Sequence, residues 1–123
     1  MHATLLFQLQ HTLERVRAQR VPLHKATDQF SLRLMLTSTL RILRELYAAT
    51  SSSYPNYMLM RRIHLLEQQA HPLALPGEVG VGTWNLLHTY LLATLEATLQ
   101  AETKTNQAEG RYEPLLAGYA SLH

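Results

Sequence analysis

The sequence predicts an all-α domain, an antiparallel four-helix bundle or a related compact helical fold. Three observations carry that expectation. Apolar residues recur three and four apart in four separate stretches. Proline, glycine and serine breaks part those stretches. The connections are short enough to make consecutive helices antiparallel neighbours. With 123 residues the chain has the size of one domain, so a single core over residues 1–123 is expected, with 103–123 as a flexible or docked tail.

The first helix is expected from about Ala3 to Arg20, with Leu6, Leu9, Leu13 and Val16 on one face. Val21-Pro22 ends it, because proline disfavours helical geometry in the residue before it. The second should open near Thr27 or Asp28, both competent N-caps, and continue to about Ala49. Leu32, Leu36, Leu40, Leu43 and Tyr47 form its stripe, which Leu34, Ile42 and Leu46 widen, so this helix is expected to meet neighbours on more than one side.

Thr50 to Asn56 reads as a polar turn. A third, short helix over about Asn56 to Ala70 turns Leu59, Ile63, Leu66 and Ala70 inward. His71 to Gly82, rich in proline and glycine, is expected to be a loop with no element of its own. Thr83 then looks like the N-cap of a fourth helix, Trp84 to about Glu102, with Trp84, Leu87, Leu91, Leu95 and Leu99 inward. Beyond Thr103 the periodicity fades, although Tyr112, Leu115, Leu116, Tyr119 and Leu122 could dock as a short C-terminal helix or bind another molecule.

Composition closes off several classes of function. There is no cysteine, hence no disulfide, thiolate metal site or cysteine nucleophile. No stretch reaches the ~20 continuous apolar residues of a membrane span. Met1 to Gln10 carries no secretory signal pattern, so a cytoplasmic location and no membrane partner are expected. The charged fraction, 16%, is low against the roughly 25% of globular domains, which leaves polar roles to Gln, Thr, Ser and His. What charge there is divides unevenly. Residues 1–62 hold nine basic side chains against three acidic ones, whereas residues 63–123 hold two against six. Such an asymmetry speaks of partners rather than of fold.

Arginine outnumbers lysine nine to two, and guanidinium is the better fork for carboxylate and phosphate. Arg33, Arg41 and Arg44 stand on the second helix. Arg15, with Arg61 and Arg62, could share a surface if helices 1 to 3 adjoin. These six are the candidate residues for binding an acidic protein partner, or phosphates of a nucleic acid in the alternative reading. Tyr54, Tyr57 and Tyr112, near the loops and the tail, are candidate docking aromatics, since tyrosine favours interfaces. Opposite charge on the two halves also makes a homo-oligomer conceivable.

Other constellations are weaker. His11 with Glu14 and His64 with Glu67 share helix faces, but few further inward carboxylates stand ready to complete a metal site, so neither metal nor cofactor is expected. Gly77 to Thr83 precedes a helix, where backbone N–H groups can take phosphate, yet no phosphate-loop lysine accompanies it. The same run is similar to the Gly-x-x-Gly-x-x-Thr turn of peptidoglycan-binding modules in Gly77, Gly80 and Thr83, with Ile63 and Leu66 in the earlier helix. Pro76 stands where those modules carry an aspartate, and the likeness extends no further. No nucleophile elbow, zinc-protease motif or close pair of carboxylates is present. The expected function is therefore a non-enzymatic helical interaction module, an adaptor, chaperone or inhibitor, with a small nucleic-acid-binding protein as the alternative.

Overall fold

In the computed structural model, the backbone of residues 2–118 and the side chains of residues 2–104 are described. Among them the elements are α1 (Ala3–Ala18), α2 (Ala26–Thr50), α3 (Tyr57–Ala70), a 3-10 turn (His71–Ala74) and α4 (Val81–Gly118). The helices form a square in chain order. Each packs on the next, α4 closes back onto α1, and α2 meets α4 across one diagonal. On the other diagonal, α1 and α3 share no contact among the described residues.

Consecutive helices are antiparallel. Gln19, at the exit of α1, donates its side-chain amide to the carbonyl of Asp28 in the first turn of α2. His88, early in α4, meets the carbonyl of Val16, late in α1, at 2.9 Å. Asn56, at the entry of α3, reaches Glu102, five turns of helix beyond Trp84, at 3.4 Å. An all-α four-helix bundle is thus the architecture of the described chain.

One apolar core runs through all four helices. Leu9, Leu13 and Val16 enter it from α1, and Leu32, Leu36, Ile42, Leu43 and Leu46 from α2. Leu59, Ile63 and Leu66 come from α3, and Trp84, Leu87, Leu91, Leu95 and Leu99 from α4. Leu23, between α1 and α2, is fully buried as a plug, its backbone N–H donating to Asn85 Oδ1. Burying each large side chain contributes about 1.5–3 kcal/mol, the term that draws the stripes together.

Several local expectations are revised. Leu34 does not widen the stripe of α2. It is exposed, because it lies on the side turned away from both α1 and α3. Helix α2 opens at Ala26 without a side-chain cap, and Thr27 and Asp28 fall inside its first turn, where the Asp28 carboxylate meets the positive end of the helix dipole. The segment after α3 is more than loop, since Pro72 sits at the start of the 3-10 turn, a position that requires no N–H. Helix α4 begins two residues before Thr83, which is consequently not its cap, and continues to Gly118 instead of ending near Glu102. The backbone of 105–118 therefore belongs to α4 and does not form a separate C-terminal helix.

Candidate functional site

The bundle sorts the six candidate arginines into three groups. Arg41 and Arg44, three residues apart on α2, are both engaged. Arg41 pairs with Glu45 one turn on at 2.7 Å, and Arg44 reaches across to Glu67 of α3. Arg17, near the end of α1, similarly pairs with Glu96 of α4 at 2.9 Å. Exposed pairs of this kind contribute about 0.2–1 kcal/mol each, but they also cancel the charge that a phosphate or carboxylate would seek.

Arg33 has a structural task. Its Nη1 donates to the carbonyl of Leu73 at 3.4 Å, and its guanidinium stands 5.5 Å from the centroid of the Trp84 ring. It thereby ties the 3-10 turn and the start of α4 to α2, with a cation–π contribution of about 0.5–1 kcal/mol. The same corner encloses a polar cleft of about 410 Å³ among His24, Gln29, Arg33, Glu78 and Trp84. Gly77, with φ of 105°, makes the turn there that residues with a Cβ rarely adopt.

Arg15, Arg61 and Arg62 make no ion pair or hydrogen bond among the described residues. They do not share one surface, because α1 and α3 are diagonal in the square. Arg15 lies on α1, two residues before the paired Arg17. Arg61 lies two residues from both Leu59 and Ile63, about 200° of helical rotation from either, and so crowns the outer ridge of α3. Arg62, half-buried, leans toward the seam with α4, opposite Glu67, which marks the α2 side.

Around Arg61 several large apolar side chains are exposed. Tyr54 in the preceding turn is 83% exposed and Tyr57, at the first position of α3, 73% exposed. Met58 and Leu65, seven apart on the same helix, are exposed as well. The turn that carries these residues is well held. Asn56 caps α3 by accepting from the N–H of Leu59 and donates its side-chain amide to Thr50 Oγ1, while its backbone N–H donates to Ser51 Oγ. Tyr112 lies outside the residues whose side chains are described.

Met58, Leu65, Leu86 and Tyr90, which the sequence analysis does not single out, are exposed as well. The signal was available: Met58 and Leu65 stand off the Leu59, Ile63, Leu66 stripe by about 100°. His64, Glu67, Gln68 and His71 line an open cleft of about 460 Å³ along α3, but no group of three or more His, Asp or Glu side chains that could hold a metal occurs among the described residues. Nor is any helix among them long and apolar enough to cross a membrane.

No protein-family model, curated protein or solved structure matches the chain.

Proposed function

We propose that the protein is a non-enzymatic helical interaction module whose α3 ridge, with the turn before it, binds an acidic protein surface. The observation that carries this reading is the setting of Arg61, an arginine with no ion pair or hydrogen bond among the described residues, flanked by exposed Tyr57, Met58 and Leu65. Arginine, tyrosine and methionine are the residues enriched at the centres of protein interfaces, where the aromatic and thioether surfaces exclude water and the guanidinium meets a carboxylate. A rigid helix holding these side chains loses little entropy on binding.

A protein partner is favoured over nucleic acid by the state of α2. Phosphate tracking needs several free cations in a row. Arg41 and Arg44 are committed to Glu45 and Glu67, and Arg15 stands on a helix that does not touch α3.

Affinity capture from the source cells with the wild-type chain and with Arg61→Glu, before and after nuclease treatment, tests the reading. A defined protein retained after nuclease and lost with Arg61→Glu is the expected outcome. Retention that Arg61→Glu leaves unchanged contradicts it, and steeply salt-dependent binding to RNA or DNA in a fluorescence-anisotropy titration moves the assignment to the nucleic-acid alternative.

A further inference from the structure

The cleft at the corner of α2, the 3-10 turn and α4 gathers polar and charged side chains that the fold leaves unspent. Its volume, about 410 Å³, lies within the ~300–1,000 Å³ of small-molecule sites, and His24, Gln29, Arg33, Glu78 and Trp84 line it. Arg33 and Glu78 are opposite in charge and border the same space. Even so, neither forms an ion pair among the described residues, whose ion pairs all lie elsewhere. Arg17 and Arg44 find glutamates on neighbouring helices, but here a cation and an anion share one cavity and stay apart.

Arg33 is held in place. Its Nη1 donates to the carbonyl of Leu73, and the Trp84 ring lies under its guanidinium. A guanidinium carries five N–H donors, so most of them remain for another acceptor, and their planar fork suits a carboxylate. Glu78, next to the turn at Gly77, brings carboxylate oxygens that accept from no donor among the described residues. Gln29 spends its side-chain amide on the carbonyl of Leu23 at 2.9 Å, which leaves its Oε1 to accept as well. Trp84, only 4% exposed, gives the cleft one apolar wall.

We infer that this cleft binds a small zwitterion, a free amino acid in the broad sense, with its carboxylate on Arg33 and its ammonium on Glu78 and the Oε1 of Gln29. Both charges of the ligand are needed. A carboxylate alone would meet repulsion from Glu78, and an amine alone repulsion from Arg33, whereas a zwitterion answers the two unpaired groups together. The cleft lies at the end of the bundle where α1 leaves off and α2 and α4 begin. Tyr57 opens α3 at the other end, so this site does not depend on partner binding by the Arg61 ridge.

Trp84 is the chain's only tryptophan, so its fluorescence reports on this cleft. The test titrates the protein with the L-amino acids, β-alanine and γ-aminobutyrate, and with succinate and putrescine as ligands of a single sign of charge. Isothermal calorimetry supplies the affinity without reference to the tryptophan. At least one zwitterion is expected to give a saturable response in the millimolar range or below, and to bind more tightly than succinate or putrescine. Glu78→Gln, an exposed position with no bond among the described residues, raises the dissociation constant at least about tenfold while circular dichroism shows helicity retained. Arg33→Gln, read by calorimetry because Arg33 stands over the reporter ring, does the same. No saturable response to any zwitterion at tens of millimolar overturns the proposal. So does succinate or putrescine binding as tightly as the best zwitterion, or zwitterion binding that Glu78→Gln leaves unchanged.

Discussion

Asn56 shows how much one side chain can organise. Its Oδ1 caps α3 at the N–H of Leu59, and its amide joins Thr50 at the end of α2 to Glu102 of α4. Asn56→Ala is expected to lower stability by about 1–2 kcal/mol, measured by urea denaturation, with the loss falling on the entry of α3. Thr98 makes the opposite case. It is fully buried in α4, yet its hydroxyl has no hydrogen-bond partner among the described residues, so Thr98→Val, which keeps the shape and removes the orphaned group, is expected to raise stability by up to about 1–2 kcal/mol. At Gly77 the backbone conformation is the constraint, since nothing stands near the position of an added Cβ; Gly77→Ala should cost about 1 kcal/mol in the same assay. Of these three roles, only the first could be glimpsed in the sequence, where Asn56 marks a helix start. An unpaired hydroxyl and a positive φ belong to the packed backbone and leave no mark on residue order.

At the scale of elements, the buried stripes were the most legible feature. Leu9, Leu13 and Val16 of α1, and all five inward positions of α4 from Trp84 to Leu99, are buried as their spacing predicts. Their periodicity records burial itself, because each must leave water once per turn. Leu95→Ala is accordingly expected to cost about 2–5 kcal/mol, read as a shift in the denaturation midpoint. The end of α4 was not legible for the converse reason. Past Glu102 the apolar spacing fades in the sequence while the backbone stays helical to Gly118, so residue order gives no sign of where the helix stops. The start of α4 misled in a similar way: Thr83 has the chemistry of a cap, but the turn at Gly80 already begins the helix, with the Trp84 N–H bonded to the Gly80 carbonyl. The cross-helix pair Arg44–Glu67 is exposed on both sides, and a double-mutant cycle should return no more than about 1 kcal/mol, shrinking as salt is added.

For the molecule as a whole, the uneven division of charge is partly resolved inside the fold. Arg17–Glu96 and Arg44–Glu67 each join the basic half of the sequence to the acidic half. Composition announced the imbalance, but only the square arrangement of helices decides which arginines are spent on it, and the same topology parts Arg15 from Arg61 and Arg62. Helix adjacency is a property of the assembled bundle, which is why residue order alone does not sort the six candidate arginines into paired and unpaired ones. The most direct measurement is photo-crosslinking in the source cells, with a benzophenone side chain placed at Tyr57 on the Arg61 ridge or at Glu14 on the exposed face of α1. A discrete, nuclease-resistant adduct to another polypeptide from position 57 and none from position 14 is the predicted result. Equal labelling from both positions, or no adduct from position 57, contradicts it.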